Sequence, residues 1–403
     1  LNGAPFTDGS DSPLFADFKS KVQALDIPAD EKLDLITRGH NALMVSVKPI
    51  YQEVATWLET DREKAGDDDG VWRLSNGADY YAYRLNAMTT TDMTADEIHA
   101  LGLSEVARIH AEMTAIKDAV GYEGDLNAFF DHLRTSPEFY YENTDEGRAA
   151  YLKEATAIID DMRENLPSAF NTFPKADLIV KRVEPFREKS AGKAFYQRPA
   201  IDGSRPGTYY ANLYNMADMP IYQMEALAFH EGIPGHHMQL AIAQELENVP
   251  QFRKFSRFTA YTEGWGLYSE FLPKEMGYYK DPYSDFGRLA MELWRAARLV
   301  VDTGLHHKKW TRQEAIDYLM QNTPNPEGDC RKAIDRYIVM PGQATAYKIG
   351  MLKILEVRES AKSGMGDAFN LGDFHDVVLA SGPVPLSILE ERINAWVESS
   401  QSH

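Results

Sequence analysis

The stretch of sequence that decides how this chain is interpreted lies just past its middle. It reads His230-Glu231-Gly232-Ile233-Pro234-Gly235-His236-His237. Three imidazoles and one carboxylate therefore fall within eight residues, directly after an apolar run. Imidazole nitrogen and carboxylate oxygen are ligands that zinc accepts, and a neighbouring carboxylate can act as a general base. The composition of this stretch indicates a metal site.

The spacing of the histidines does not fit a regular helix around one metal ion. In the common helical metal motif, the second His follows the first by four residues. Here Pro234 occupies that position. His237 lies seven residues after His230 on the same helical face, but seven residues rise about 10.5 Å along the axis. Two imidazoles so far apart cannot both lie about 2.0–2.1 Å from one zinc ion.

Pro234 itself also argues against a regular helix, because it removes a backbone hydrogen bond and clashes with the preceding turn. A glycine on each side supplies backbone freedom. The sequence therefore predicts a bulge or break at 232–235, which brings His236 or His237 back level with His230. The alternative is a helix end followed by exposed histidines.

The bulk composition narrows the function classes. The chain has 403 residues, with 42 Lys and Arg against 61 Asp and Glu, for a formal charge of −19. This balance excludes the basic patch of a nucleic-acid binder and disfavours anionic membrane surfaces. The single Cys330 excludes an intramolecular disulfide and a thiolate metal cluster, so a metal must be held by His, Asp or Glu. No apolar run approaches the roughly 18 residues of a membrane span.

Apolar periodicity along the chain predicts a mainly α-helical fold. Thr94–Glu97 and Thr311–Glu314 have the pattern of capping boxes at helix starts. Between 194 and 213, two aromatic, β-prone segments flank a Gly- and Pro-containing turn and predict a β-hairpin. Pro220 fits the first turn of a helix that runs into His230. We expect one large multi-helix domain with a small β-hairpin preceding the motif helix.

A third metal ligand is expected from another helix, predicted over 255–271. Glu263 lies there among Tyr and Trp side chains, and a buried carboxylate needs a partner such as a metal ion. Glu270 follows seven residues later on the same face and could support a metal ligand. Both carboxylates could instead face solvent. The nearby glycines at 264 and 266 favour a functional role for Glu263, because they weaken the helix without an evident packing reason.

The helix predicted over 285–308 carries one narrow polar stripe on an otherwise apolar surface. The stripe consists of Arg288, Glu292, Arg295, Arg298, Asp302 and His306. Such a stripe faces either solvent, as in an ordinary amphipathic surface helix, or a polar cavity. If it faces a cavity, then Arg295, Arg298 and His306 are candidate donors for a substrate carboxylate or an oxyanion.

A further candidate segment, Arg336–Tyr347, joins two predicted helices. Gln343 and Tyr347 fall at helical spacing on one face. A Tyr hydroxyl directed at a metal site could stabilise a tetrahedral oxyanion. A helical Tyr is also a common core residue, and that interpretation stays open here.

These segments together resemble a bacterial family of uncharacterised proteins catalogued as domain of unknown function 885. The resemblance is carried by 202–212, 230–239, 261–270, 295–306, 336–350 and 374–386, within the C-terminal half. Members of that family are often longer at the N-terminus and frequently carry export or lipoprotein signals. Together with a first residue of Leu1, the resemblance implies a shortened chain, from a periplasmic or cell-envelope protein whose signal is removed.

More distantly, the chain is similar to the helical zinc peptidases of the thimet oligopeptidase, angiotensin-converting enzyme and carboxypeptidase Taq group. That likeness implies a zincin-like domain with one Zn²⁺, held by His230, His236 and Glu263, with His237 as the alternative ligand. It implies Glu270 as the residue supporting a ligand. It also implies an edge strand near Thr208–Asn212, including Tyr209 and Asn212, that aligns the substrate, and a downstream Tyr347 or Tyr337 that stabilises the transition state.

The function expected from these arguments is zinc-dependent hydrolysis of short peptides. Glu231 is expected as general base, with Tyr347 or Tyr337 and Arg295 or His306 stabilising the oxyanion. The residues expected to bind substrate are Arg298, Gln343, Arg336, Tyr209 and Asn212. Residues 1–190 are expected to form an N-terminal helical part and 191–403 the catalytic part, in one compact unit with a cleft between them. The alternatives are a metal-dependent amidase or esterase that uses the same metal on non-peptide substrates, and a metal-free helical binding protein with a degenerate site.

Overall fold

The computed structural model describes residues 12–66, 68–247 and 249–401. The chain separates into two units, Leu1–Asp68 and Asp69–His403. Helices account for 69% of the structure and strands for 4%, so the predicted mainly α class is confirmed. The expected functional division between 190 and 191 stays a prediction.

The first unit contains three helices. They are α1 (Pro13–Gln23), α2 (Ala29–Ala42) and α3 (Lys48–Arg62). Ser12 caps α1, because its side chain accepts a hydrogen bond from the backbone N–H of Phe15 at 3.2 Å. A π-helical turn, Leu43–Val47, runs between α2 and α3 without a break.

The second unit contains the remaining helices of the described chain. They are α4 (Gly77–Thr89), α5 (Ala95–Ala119), α6 (Leu126–Thr135), α7 (Asp145–Asn165), α8 (Met224–Glu231), α9 (His236–Glu245), α10 (Gln251–Phe255), α11 (Thr259–Glu275), α12 (Pro282–His306), α13 (Arg312–Asn322), α14 (Glu327–Val339), α15 (Ala346–Met365), α16 (Leu371–Leu379) and α17 (Leu386–Gln401). Both predicted capping boxes are present, at Thr94–Glu97 and Thr311–Glu314. No helix among the described residues is both long and apolar enough to cross a membrane.

A small sheet of three strands precedes the motif helix. The strands are β1 (Leu178–Arg182), β2 (Ala194–Gln197) and β3 (Gly207–Ala211), in the order β1-β3-β2. β2 pairs antiparallel with β3, placing Tyr196 opposite Tyr209, which confirms the predicted hairpin. β1 adds a parallel strand that was not predicted. Its five residues end in Lys181 and Arg182, so the segment is too short for strand periodicity to identify it.

Helices α11, α12 and α15 form the centre of the second unit. At Gly264 of α11, a Cβ atom would lie 2.4 Å from the backbone of Gly350 in α15, so the two helices cross closely because both residues are glycine. α12 is buried along nearly its whole length. Its apolar residues pack in a cluster with α5, α6 and α13. α11 packs mainly on α15, and α12 packs mainly on α5.

Candidate functional site

The metal motif is a helix interrupted between its histidines. α8 ends at Glu231 and α9 begins at His236, with a non-helical turn over 232–235. The predicted break is therefore confirmed. A Cβ atom on Gly235 would lie 2.1 Å from the carbonyl oxygen of His230, so only glycine allows the chain to fold back this tightly.

The break brings His230 and His236 together beside a carboxylate from α11. The two imidazole centroids are 4.6 Å apart. One oxygen of Glu263 lies 3.8 Å from Nε2 of His230 and 3.5 Å from Nε2 of His236. Within the described residues, these three side chains form the one cluster of His, Cys, Asp or Glu with ligand atoms all inside 4.8 Å of one another. The structure thus brings together the three residues that were expected to be metal ligands.

Glu270 orients the first of these histidines. Nδ1 of His230 donates to Oε1 of Glu270 at 2.7 Å, and both groups are buried. This leaves Nε2 of His230 directed at Glu263. Arg295 approaches the same Glu270 oxygen at 3.5 Å. The arrangement matches the carboxylate-supported histidine that commonly accompanies a metal ligand.

The carboxylates and imidazoles of this cluster perturb each other strongly. Burial lowers the pKa of His230, but the adjacent carboxylates of Glu263 and Glu270 outweigh it and raise that pKa to about 9. Burial raises the pKa of Glu263, yet His230 and His236 hold it well below its usual range. Burial also raises the pKa of Glu231, against the opposing charges of the same two histidines. The cluster is a compact set of groups of opposite charge with little solvent between them.

Gly264 and Gly266, which follow Glu263, have packing roles, and this corrects the expectation that they lack one. A Cβ atom on Gly266 would lie 2.7 Å from the imidazole of His230, so the ring packs directly on the α11 backbone. Gly264 permits the close crossing with α15 described above. These glycines therefore place Glu263 at the right height relative to His230 instead of merely loosening the helix.

His237 is not brought to the cluster. Its Nε2 donates to the carbonyl oxygen of Ala176 at 3.0 Å, and its Nδ1 lies 2.9 Å from the hydroxyl of Tyr196. Burial lowers the pKa of His237 to about 4, so the ring is neutral and accepts the Tyr196 hydrogen bond. Both ring nitrogens are occupied, and the structure does not present His237 as an alternative ligand.

The cluster opens onto a cavity of about 1590 Å³. The candidate residues that line this cavity are Asn212, His230, Glu231, His236, Glu263, Arg295, Arg298, Arg336, Gln343 and Tyr347. Asn212 also donates to the carbonyl oxygens of Glu188 and Ala191, and so shapes the cavity wall. Arg336 donates to Gln343 at 3.1 Å. Most of the candidate site thus borders one space.

Three of the expected site residues, Tyr209, Tyr337 and His306, do not line the cavity. His306 accepts a hydrogen bond from the N–H of Val71 at 3.2 Å, and its Nε2 bonds the carbonyl oxygen of Tyr337 at 3.0 Å. It is buried away from the cavity and cannot meet a substrate there, contrary to the expectation from sequence. The hydroxyl of Tyr337 is buried and has no hydrogen-bond partner among the described residues. Tyr209 is fully buried in the core.

The polar stripe on α12 divides into three parts. Arg288 and Glu292 belong to a buried ionic network, in which Lys348 donates to Glu292 at 2.5 Å. Arg295 and Arg298 line the cavity. Asp302 accepts a hydrogen bond from Tyr81 at 2.6 Å, and His306 is bonded as described. The stripe faces the polar interior, and only its middle part reaches the cavity.

The strand expected at the sheet edge is β3, but β3 is the central strand, paired on both sides. This corrects the roles expected of Tyr209 and of the Thr208–Asn212 segment. β2 is an edge strand, and all four of its residues line the cavity. The hairpin was predicted, but which of its strands keeps a free edge depends on β1, which the sequence did not reveal.

The basic charge of the cavity wall was not predicted from the sequence. Between 181 and 205 the chain has seven Lys and Arg against three Asp and Glu, although the whole chain is strongly acidic. Several of these cations line the cavity, including Arg187, Lys193, Arg198 and Arg205. This local reversal of charge was the signal that could have identified them.

Comparison with known protein families identifies the family of this chain. The family described as "Bacterial protein of unknown function (DUF885)" matches residues 2–393. The chain belongs to this family. The match spans nearly the whole chain, so the resemblance is not confined to the C-terminal half, as the sequence motifs had suggested. No curated protein matches the chain.

Two solved structures share the fold. One is described as the "putative lipoprotein" from Colwellia psychrerythraea, at 39% identity and a TM-score of 0.93, over 98% of this chain and 68% of that one. The other is a "putative lipoprotein of unknown function" from Shewanella oneidensis, at 20% identity and a TM-score of 0.71, over 93% of this chain and 69% of that one. The second likeness extends to the fold alone.

Proposed function

We propose that this protein is a zinc-dependent hydrolase, and specifically a peptidase that cleaves short peptides in the cavity described above. The observation that carries the proposal is the convergence of His230, His236 and Glu263 on the cavity wall, with Glu231 beside them. A zincin-like character of the helical domain is part of the same proposal.

The three side chains fit a zinc ion in spacing and in chemistry. Two ligand atoms bound to one tetrahedral zinc lie about 3.3 Å apart. The observed separations of 3.5 and 3.8 Å between Glu263 and the two imidazoles are close to that value and long for hydrogen bonds. Two imidazoles and a carboxylate are a donor set that suits catalytic zinc.

When bound, zinc supplies Lewis-acid chemistry: it lowers the pKa of water and polarises a carbonyl oxygen. Glu231 follows the ligand His230 in the chain and lines the same cavity. Its carboxylate would accept a proton from the attacking water and later deliver that proton to the leaving amine. Burial of Glu231 favours such a role, because a poorly solvated carboxylate is a stronger base.

Tyr347 and Arg295 are the groups best placed to stabilise the negative charge that develops on the carbonyl oxygen. Tyr347 lines the cavity, and the Arg295 guanidinium lies 6.0 Å from its ring centroid. Donors aimed at a developing oxyanion commonly contribute a few kcal/mol to catalysis. Tyr337 and His306 lie behind the wall and have no part in this scheme.

The free edge of β2 is the element best suited to align a peptide. All of its residues line the cavity, and an edge strand presents unpaired N–H and C=O groups. An extended peptide added there would form main-chain hydrogen bonds, and these would favour peptides over small esters. We also propose that the protein is exported or held at the cell envelope, by analogy with the lipoprotein description of the Colwellia psychrerythraea relative.

The test is metal analysis together with turnover. The wild-type protein should hold one zinc per chain and cleave short peptides faster than matched small amides and esters. Glu231→Gln should keep the zinc and lose turnover, whereas Glu263→Gln should lose both. Glu164→Gln, on the exposed surface of α7, is the matched control and should change neither. Loss of zinc with unchanged turnover in Glu231→Gln contradicts the proposal.

A metal-free preparation gives the second arm of the test. A protein that carries no zinc after gentle purification, and whose stability does not respond to a chelator, would be a helical binding protein. Cleavage of small amides or esters in preference to peptides would keep the metal chemistry and replace the substrate class.

A further inference from the structure

The charge of the cavity wall is opposite to the charge of the whole protein. Ten Lys and Arg side chains line the cavity, against five Asp and Glu. The chain as a whole has 42 Lys and Arg against 61 Asp and Glu. A concave wall of one sign concentrates ligands of the other sign, because the surrounding protein focuses its field. The cavity is therefore positive in an otherwise negative molecule.

The few acidic residues on the wall do not cancel this charge. Two of the five are Glu231 and Glu263, which face the two histidines of the cluster. Glu188 accepts a hydrogen bond from Arg182 at 2.9 Å. Asp329 faces Lys193 and Lys332. Asp218 also lies near Lys193, so each of the five acids has a cationic neighbour. Arg187 and Arg295 pair with Glu184 and Glu270, which do not line the cavity, and the cations that remain, Arg298 among them, are left to meet a ligand.

Arg298 is a partly buried cation without a directly contacting anion, and Glu263 acts on it only from beyond ion-pair distance. Its guanidinium lies 4.7 Å from the ring centroid of Tyr347 and 5.8 Å from that of Tyr337. It forms no ion pair within the described part of the chain, and its Nε is buried without a hydrogen-bond partner there. The rings offset only part of the cost of burying the guanidinium, so an anion would complete its surroundings.

Other donors extend the same patch. Arg336 lies on α14 and donates to Gln343, which precedes Tyr347 by four residues. Arg298, Arg336, Gln343 and Tyr347 all line the cavity, and we call them the arginine patch. Guanidinium groups bind carboxylates with two parallel hydrogen bonds, and Tyr and Gln add single donors. The patch has the chemistry of a carboxylate site beside the metal cluster.

We propose that the site takes anionic substrates, and that Arg298 binds a carboxylate of the peptide being cleaved. This inference rests on the proposed peptidase function. The carboxylate has two possible sources, the free C-terminus of a short peptide or the side chain of an Asp or Glu residue within it. The cationic walls at 187–205 would attract further negative charge on longer substrates.

Binding measured without turnover tests the proposal. We would use Glu231→Gln loaded with zinc, and titrate N-acetylated alanine tripeptides by calorimetry. The four probes are the free acid, the C-terminal amide, the amide with a central Glu, and the amide with a central Lys. We expect at least one acidic probe to bind about ten-fold or more tightly than the neutral amide, and the Lys probe to bind most weakly. A preference for the free acid identifies the C-terminus, and a preference for the Glu probe identifies the side chain.

The arginine variants connect that preference to the patch. In the same background, Arg298→Gln should weaken the acidic probe about 10- to 100-fold and leave the neutral amide unchanged. Arg298→Lys should keep part of the preference, because it retains the charge but not the paired hydrogen bonds. Arg331→Gln is the matched control on α14, where Arg331 pairs with Glu327 at the surface, and it should bind all probes as the parent does.

The outcomes separate this inference from the proposed function. Equal binding of all four probes, or an equal loss on every probe in Arg298→Gln, overturns the carboxylate site. If wild-type protein cleaves the neutral amide as fast as both acidic probes, the peptidase stands and the anionic preference is wrong. If acidic probes bind through Arg298 but no peptide is cleaved by the zinc-loaded wild type, the carboxylate site stands and the peptidase fails.

Discussion

Glu270→Gln is the change that most directly tests how the metal cluster is organised. The substitution keeps the size of the side chain and removes its charge. In the wild type, Oε1 of Glu270 accepts the hydrogen of His230 Nδ1 at 2.7 Å, with both groups buried. The carboxylate therefore holds the ring so that Nε2 points to Glu263, and it increases the electron density on that nitrogen.

The expected size of the effect follows from this contact. Loss of a carboxylate that supports a metal-bound histidine typically lowers metal affinity by about 10- to 100-fold. That range corresponds to about 1.4–2.8 kcal/mol of binding free energy. Because the amide of Gln can still accept the hydrogen bond, we expect the lower half of the range. Glu263→Gln removes a proposed ligand itself and should lower the affinity by a larger factor.

The assay is competition for zinc against a chromophoric chelator at constant pH. Glu164→Gln reports any general effect of removing one negative charge. An affinity of Glu270→Gln within two-fold of the wild type would refute the orienting role of Glu270. If Glu270→Gln lowered the affinity more than Glu263→Gln, the assignment of Glu263 as a ligand would also be wrong.

Three further predictions concern stability, each measured by urea unfolding. Burial lowers the pKa of His375 to about 3, below the usual value near 6.5, so its contribution to stability is complete above pH 6.5 and is lost as the pH falls. As the pH falls below 6.5 we expect this residue to lower the stability with a slope that approaches about 1.4 kcal/mol per pH unit, and His375→Gln should remove that slope. Arg298→Met should raise the free energy of unfolding by about 1 kcal/mol, because the buried Nε has no partner among the described residues. Gly264→Ala should lower it by about 1–3 kcal/mol, because the new methyl group would lie 2.4 Å from the α15 backbone.

Each stability prediction has its own control. His307→Gln, on an exposed ring, should leave the acid slope intact. If Arg298→Met is less stable than the wild type, then the aromatic contacts of Arg298 stabilise the fold by more than its unpaired guanidinium destabilises it. Gly328→Ala lies in α14 with open space around it, and should be neutral or stabilising. Equal stability of the two Gly variants would contradict the close crossing of α11 and α15.

The helical class and the break in the motif were predictable because their causes are local. Pro234 cannot continue a regular helix. At position 235 only glycine leaves room for the carbonyl oxygen of His230. Capping boxes are equally local, since they join residues three apart. The hairpin followed from the aromatic alternation and the turn between its strands. Such features depend only on residues that are close together in the sequence.

The position of His306 could not be predicted from the local sequence pattern. Its place on the polar stripe of α12 predicted that it faces the cavity, but different parts of the stripe contact three different sets of neighbours. Arg295 meets the cavity, whereas His306 meets the backbone of Val71, more than 200 residues away in the chain. Which part of a stripe faces a cavity depends on packing partners that periodicity does not encode.

By itself, the sequence determined that the chain is helical, that the motif is interrupted, and that any metal must be held by imidazole and carboxylate. Only the tertiary structure decided that His236 and not His237 faces Glu263, that β2 and not β3 is the edge strand, and that the buried Nε of Arg298 has no hydrogen-bond partner among the described residues. The physical reason is the range of the interactions. Helix breaks and caps arise between residues a few positions apart, whereas each of these three outcomes depends on distant segments that meet only when α8, α11, α12 and the sheet are packed together.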